Sequence, residues 1–157
     1  RKSIIIALEG VSDPGNVGTI LRTCDWFGVN AVGLSKNSVD IYSPKVLRST
    51  MGALFHFPVM NEKDVKEFAR TARARHCELF VTAAEGGAEL QSVSFPPRSL
   101  VVFGNESHGV SDPLLRAADH TLTIPKYGKA DSLNVAISCG IILSRMRTQL
   151  TDTLPTT

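Results

Sequence analysis

Residues 125–138 read PKYGKADSLNVAIS, which places Asp131, Ser132 and Asn134 at the mouth of a segment otherwise mostly apolar as far as Met146. Ser and Asn are ordinary at a helix N-terminus, where a side-chain oxygen accepts from an orphan backbone N–H, so capping alone accounts for Ser132. With Ser132 as the cap, Asn134 falls in the first turn beside Leu133, Val135 and Ala136. There it faces either water or something bound at the helix mouth. Two other loops concentrate polar residues. GNVG (15–18) falls short of the Gly-x-Gly-x-x-Gly dinucleotide fingerprint, and no acidic residue of the required kind follows a second strand, which argues against a nicotinamide-dependent dehydrogenase. GNESHG (104–109) holds Ser107 and His108 without a Gly-x-Ser-x-Gly nucleophile elbow, which argues against a hydrolase triad.

The elements around these loops alternate. IIIAL (4–8) is a β-branched run of the kind a strand buried on both faces needs. Asp13 then Pro14 opens a helix carrying Val17, Ile20, Leu21 and Cys24 at helical spacing, and Gly28 stops it. AVGL (31–34) reads as a strand, Ser43-Pro44 caps a helix running toward Gly52, and FPVM (57–60) reads as strand. An amphipathic charged helix spans 62–76, its basic side a solvated face. ELFVTA (78–83) and SLVVF (99–103) are buried-type strands separated by a loop. Ser111, Asp112 and Pro113 cap LLRAA, TLTI (121–124) is a strand, and a closing helix runs from Leu133 to about Arg147, about 22 Å long. This order predicts an α/β fold, a mostly parallel sheet with helices on both faces. In such sheets ligands bind beyond the carboxyl ends of the strands, where the polar loops 9–18, 104–109 and 125–134 lie.

The closing helix carries Leu133, Val135, Ile137, Ile141, Ile142, Leu143 and Met146, leaving little polar face in its first two-thirds, so it is buried in the core or between subunits, and a subunit interface is the more economical reading in a chain this small. At 157 residues with 43% hydrophobic and 20% charged residues and a net charge of +2, the chain suits one soluble domain that needs neither disulfides nor metals. The longest apolar runs are too short to span a bilayer, and IIIAL is too short for a signal peptide, so the expected location is the cytoplasm or an organellar matrix. Cys24, Cys77 and Cys139 form no CxxC pair and read as reduced, buried thiols. The four His residues lack ligand spacing, so no metal is expected. The small net charge neither supports nor excludes RNA.

Taken in order, NVGTILR (16–22), FGNESHG (103–109) and IPKYGKADSLNVA (124–136) resemble the three motifs of the SpoU-type, TrmH-like RNA ribose methyltransferases. Asn16, Gly18 and Arg22, then Gly104, Glu106 and Gly109, then Ile124, Pro125, Ser132, Leu133, Asn134 and Val135 carry the resemblance, which covers nearly the whole chain. It implies a C-terminal deep trefoil knot, a homodimer, S-adenosylmethionine as methyl donor, and methylation of a ribose 2′-hydroxyl in ribosomal or transfer RNA. Residues 1–157 read as the catalytic domain; the chain has no initiator Met and opens almost directly on a strand, which leaves room for an N-terminal RNA-binding extension outside them. PKVLRSTMGALFHFPV (44–59) looks more like the ribosomal-RNA branch.

By the same resemblance Arg22 is the catalytic residue at the ribose, assisted by Asn16, Glu106, Ser132 and Asn134. Thr82, Ala83, Gly104, Ile124 and Leu133 lie against the cofactor, with Gly104 and Gly109 letting backbone approach a ligand. A guanidinium stays protonated, so Arg22 suits stabilisation of a developing alkoxide or grip on a phosphate, oriented by Glu106. His108 has no assigned role. Two other readings remain: a catalytically silent RNA-binding or ribosome-assembly module of the same fold, disfavoured by Arg22, Glu106 and Asn134 together, and transfer to a base, disfavoured by Arg22 within NVGTILR.

Overall fold

Along β1 (Ser3–Leu8), Ile4, Ile6 and Leu8 pack into one hydrophobic cluster while Ile5 and Ala7 pack into a second on the opposite face. The strand is apolar at nearly every position because both faces are covered. The computed structural model describes residues 2–62 and 64–152. The same alternation recurs downstream: Phe80, Val101 and Phe103 face the first cluster, Leu79, Val81, Leu100 and Val102 the second.

The elements follow as α1 (Pro14–Trp26), β2 (Ala31–Ser35), α2 (Pro44–Thr50), β3 (Val59–Glu62), α3 (Val65–Ala74), β4 (Glu78–Thr82), β5 (Ala88–Glu89), β6 (Arg98–Phe103), α4 (Asp112–Ala117), β7 (His120–Thr123) and α5 (Val135–Asp152). The sheet order is β3-β2-β1-β6-β4-β7-β5, and every pairing in it is parallel. Helices α1, α2 and α5 cover the face of Ile4 and Ile6, and α3 and α4 cover the face of Ala7. In β2, Gly33 admits the ring of Phe68 from α3, which a Cβ would meet at 2.9 Å. The α/β reading with helices on both faces holds.

Strand order decides where the loops meet. The sheet grows outward from β1 through β2 to β3, and β6 returns to the other side of β1, in register from Ser3 opposite Arg98 to Leu8 opposite Phe103. The loops after β1 and β6 therefore leave the same sheet edge side by side, at a topological switch point.

Element ends differ from expectation for identifiable reasons. Strand β3 starts at Val59 because Pro58 has no N–H to give the ladder; its carbonyl accepts from Val32 N at 3.0 Å. Helix α3 starts at Val65, where the Asp64 carboxylate accepts from Lys66 N at 2.8 Å, and stops before His76, whose φ is 62°. Lys63, inside the expected 62–76 helix, lies outside the described residues. The segment between β4 and β6 contains β5 and a 3-10 turn at Leu90–Ser92. Ser111 occupies the N-cap of α4, but its hydroxyl donates to Glu9 at 2.8 Å and bonds no helix N–H.

Helix α5 runs past Arg147 because its tail is held: Gln149 accepts from Phe95 N at 2.9 Å and donates to Val93 O at 2.7 Å, and Leu150 is buried. Helices α1 and α5 lie parallel, with Asn16 beside Asn134 at one end and Arg147 donating to the carbonyls of Phe27 and Gly28 at the other. Cys24, Cys77 and Cys139 are free and buried, with Cys24 and Cys139 facing each other between these helices. The Cys139 thiol, together with burial, pushes the Cys24 thiol well above its usual range.

Candidate functional site

Asp13 ends the loop after β1 and caps α1, its carboxylate accepting from Asn16 N at 2.8 Å, with Pro14 at the first helical position. That cap sets Asn16 in the first turn. From the neighbouring loop after β6, Glu106 reaches across: its carboxylate accepts from Asp13 N at 3.0 Å, from Ser12 N and Oγ at 3.3 Å each, and from Asn16 Nδ2 at 3.4 Å. Partial burial pushes the Glu106 carboxyl up, but the amides of Asp13, Glu106 itself and Ser12, with the Asn16 side chain, outweigh it. The carboxyl sits below its ordinary range. At neutral pH Glu106 is an anion and accepts only.

The third loop closes the cluster. Asn134 accepts from Ala136 N at 2.9 Å and Ile137 N at 3.2 Å, and its carbonyl accepts from Ser138 N at 2.9 Å. Asn134 is thus itself the N-cap of α5. This corrects the reading that made Ser132 the cap and put Asn134 in the first turn: a cap must sit immediately before the first helical residue, and that residue is Val135. Asn134 Nδ2 donates to Asn16 Oδ1 at 3.0 Å, completing a relay from Asn134 through Asn16 to Glu106. Ser132 lies exposed two residues before it.

Arg22 stands six residues after Asn16 on the exposed side of α1, and Glu106 is engaged by Ser12, Asp13 and Asn16, not by Arg22. The orienting bond from Glu106 to Arg22 is therefore absent in this chain. Six residues along an α-helix turn the side chain about 120° away from Asn16, toward Trp26 and Thr19.

Thr82, Gly104 and Ile124 lie at or just beyond the ends of the adjacent strands β4, β6 and β7. Thr82 and Ala83 are half-buried, Ala83 N donating to Leu122 O at 2.9 Å and its carbonyl accepting from Thr123 Oγ1 at 3.1 Å. Leu133 is 49% exposed. At Gly104 the structure shows a cause the sequence did not: a Cβ there would lie 2.1 Å from Gly109 C, so the loop's own closure requires glycine. Gly109, at φ 69°, has open space around it, and its backbone exchanges bonds of 3.0 and 2.9 Å with Asn105.

Sequence reasoning overlooked Ser12, Asn105 and Thr123. Asn105 Oδ1 accepts from Ser107 N at 2.8 Å while its Nδ2 donates to Gly10 O at 2.8 Å, fastening the Glu106 loop to the end of β1. Thr123 joins Ala83 O to Gly87 N, from which it accepts at 2.9 Å. An Asn after Gly in a tight turn and a Thr ending an apolar strand were the available signals. Among the described residues no group of three or more His, Cys, Asp or Glu could hold a metal, and no helix is long and apolar enough to cross a membrane.

A parallel sheet whose site is three strand-end loops, joined by a carboxylate and two amides at a helix mouth, is a framework for holding a ligand and a polar acceptor together. Residues 3–144 match the model of the SpoU rRNA Methylase family, and the chain belongs to that family. It is 35% identical over 143 residues to the 23S rRNA (guanosine(2553)-2'-O)-methyltransferase RlmP of Bacillus subtilis, covering 91% of this chain and 57% of that protein. The SpoU methyltransferase AviRb from Streptomyces viridochromogenes, in complex with AdoMet, superposes with a TM-score of 0.89 at 28% identity, over 96% of this chain and 59% of that one. An AdoMet-bound rRNA methyltransferase from Sinorhizobium meliloti does so with a TM-score of 0.87 at 34% identity, over 96% of this chain and 58% of that one. The chain thus spans somewhat over half the length of these relatives.

Proposed function

We propose that this chain is the catalytic domain of an S-adenosylmethionine-dependent RNA 2′-O-methyltransferase, acting in the cytoplasm on ribosomal RNA in preference to transfer RNA. The observation that carries the reading is the Asn134–Asn16–Glu106 relay, which brings all three motif loops to one place. The ribosomal preference is supported by the name of the Bacillus relative and by residues 44–59.

The residues present fit the cofactor. The neighbouring ends of β4, β6 and β7 offer backbone at Thr82, Ala83, Gly104 and Ile124, and Leu133 leaves apolar surface that an adenine face would cover. Bound there, S-adenosylmethionine would supply an electrophilic methyl and leave as the neutral thioether, with the proton of the accepting ribose hydroxyl passing to solvent water. The protein's share is positioning and charge. Glu106, held ionised by three backbone amides, fixes Asn16; Asn16 and Asn134 fix each other; Ser132 lies exposed at the same mouth. Arg22, always protonated, meets the developing alkoxide or the adjacent phosphate. Lys126, Tyr127 and Lys129, all exposed in the loop before α5, add cations and a stacking ring toward RNA.

A homodimer is part of this reading. Ile137 and Ile141, one turn apart on α5, are exposed, and Trp26, Met51 and Phe55 are exposed on and around α1. The interface expectation is narrowed accordingly: Ile142, Leu143 and Met146 are buried within the chain, because α5 turns that side onto the sheet and α1. The trefoil knot is proposed with it, since α5 is bound both to α1 and to Gln91 and Val93 in the segment leading into β6. The deciding experiment combines S-adenosylmethionine calorimetry with nucleoside mass spectrometry of RNA from a deletion strain. Cofactor binding and loss of one 2′-O-methylated nucleotide are expected; no cofactor binding, or unchanged nucleosides, would overturn the proposal. Cofactor-independent RNA binding without any methyl loss would identify the silent-module alternative.

A further inference from the structure

Behind the Glu106 loop lies a second concavity that the methyl-transfer reading does not use. It is about 400 Å³, opens at the ends of β1, β2 and β3, and is lined among others by Glu9, Asn37, Asp64, Asn105, His108 and Asp112. Its size is in the range of small-molecule sites. The loop at 104–110 is the partition: Glu106 bonds Ser12, Asp13 and Asn16 on one side, and His108 lines the cleft on the other. The paired bonds between Asn105 and Gly109 hold that wall fixed.

Much of the lining is already committed. Glu9 accepts from Ser111 N at 2.7 Å and from Ser111 Oγ at 2.8 Å, and Asp64 caps α3. Other groups are available. Asn37 Oδ1 accepts from Ser35 Oγ, which leaves its amide N–H groups to donate. Asp112 and the His108 ring bond no other described side chain. No Lys or Arg is among the described lining residues, while three carboxylates are, so the cleft offers a phosphate no cation and suits the base end of a nucleotide.

We propose that this cleft is a nucleobase site selective for a guanine edge, an inference that rests on the RNA-methyltransferase reading. Ionised carboxylates accept only, and guanine presents two adjacent donors, N1–H and the N2 amine, to one carboxylate such as Asp112. Its O6 and N7 accept from an amide such as that of Asn37. Uracil offers a single donor between two acceptors and leaves a carboxylate half-used. The base taken is that of a nucleotide neighbouring the target, because the 104–110 loop stands between the cleft and the Asn16 cluster.

The test is a titration of the nitrogen-15-labelled chain with guanosine 5′-monophosphate and with uridine 5′-monophosphate, with S-adenosylmethionine calorimetry on the same sample. Guanosine 5′-monophosphate should shift the amide signals of Gly10, Asn37, His108 and Ser111 saturably, at least about tenfold more tightly than the uridine nucleotide. Asp112→Asn should remove that preference. Equal effects of the two nucleotides, or no shift at those amides while S-adenosylmethionine still binds, would overturn the cleft proposal and leave the methyltransferase reading standing. Failure to bind S-adenosylmethionine would overturn that reading and this one with it.

Discussion

Asn134 donates a 3.0 Å hydrogen bond to Asn16 across 118 residues of sequence while the Oδ1 of the same side chain caps α5. One side chain therefore both starts the closing helix and ties it to the first. The two roles separate by mutation. Asn134→Ala should cost about 0.5–2 kcal/mol for the lost cap and weaken both cofactor binding and methyl transfer. Asn134→Asp should keep the cap, since Asp caps as well as Asn, yet lose transfer, because a carboxylate then faces the Asn16 oxygen and has no donor. Urea midpoints and transfer rates measured together check this; an active Asn134→Asp would count against the relay.

Three glycines make a graded set. Gly104→Ala drives a Cβ to 2.1 Å from Gly109 C and should destabilise by about 1–3 kcal/mol or more. Gly109→Ala meets nothing but is held at φ 69°, so it should cost about 1–2 kcal/mol. At Gly128 a Cβ also meets nothing, and no positive φ is required, so Gly128→Ala should melt with the parent protein. Thermal melting of the three variants ranks them, and a Gly104→Ala protein as stable as Gly128→Ala would refute the loop-closure account.

The strands were legible because burial on both faces writes continuous apolar runs such as IIIAL and SLVVF, and the capped helices because Asp13-Pro14 and Ser43-Pro44 are local signals. The strand order was not, since nothing local to β6 tells it to lie beside β1. For the same reason the contact of Glu106 with Ser12 and Asp13 was invisible, although Asn16, Glu106 and Asn134 were all singled out. The misplaced cap at Ser132 came from two capping residues lying two apart before one apolar run; only the helix start distinguishes them. At Gly104 the sequence could not separate two causes, because a close approach of backbone to backbone leaves the same mark as an approach to a ligand.

Exposure separates two neighbours on α5. Ile141 is 40% exposed one turn beyond the exposed Ile137, whereas Ile142 is 1% exposed inside the core. Ile141→Glu should give a folded monomer, and Ile142→Glu an unfolded or insoluble chain, since an unpaired carboxylate there is buried. Light scattering with circular dichroism reads both. A wild-type chain that is already monomeric at micromolar concentration would remove the interface.

Glu106 predicts a pH dependence with a definite sign. Its folded-state pKa is below the ordinary 4.5, so the stability it contributes is complete above that value and is lost as the pH falls through the lower folded value. The group is exposed, so solvent screens it and the contribution is modest. Glu106→Gln should be less stable than the parent at neutral pH and lose less on acidification, the two curves converging at low pH. Parallel melting curves between pH 7 and about pH 3 would show that the carboxylate is not held by the Ser12 and Asp13 amides.

Arg22 offers the sharpest separation of chemistry from binding. It lies on the exposed side of α1 and is not among the strand-end residues Thr82, Gly104 and Ile124 that offer backbone to the cofactor, so removing it should leave S-adenosylmethionine affinity nearly unchanged. If its charge meets the ribose oxygen or the phosphate, Arg22→Ala should lower methyl transfer by about 3–4 kcal/mol, a few hundredfold or more. Arg22→Lys should recover only part of this, because a single ammonium does not reproduce the two-pronged grip of a guanidinium. Since Glu106 does not bond Arg22, Glu106→Gln combined with Arg22→Ala should show near-additive losses, whereas a Glu106–Arg22 pair would make the second change nearly free. The measurement is single-turnover transfer at saturating cofactor on the RNA identified by the deletion strain. Near wild-type transfer by Arg22→Ala would end the proposed role.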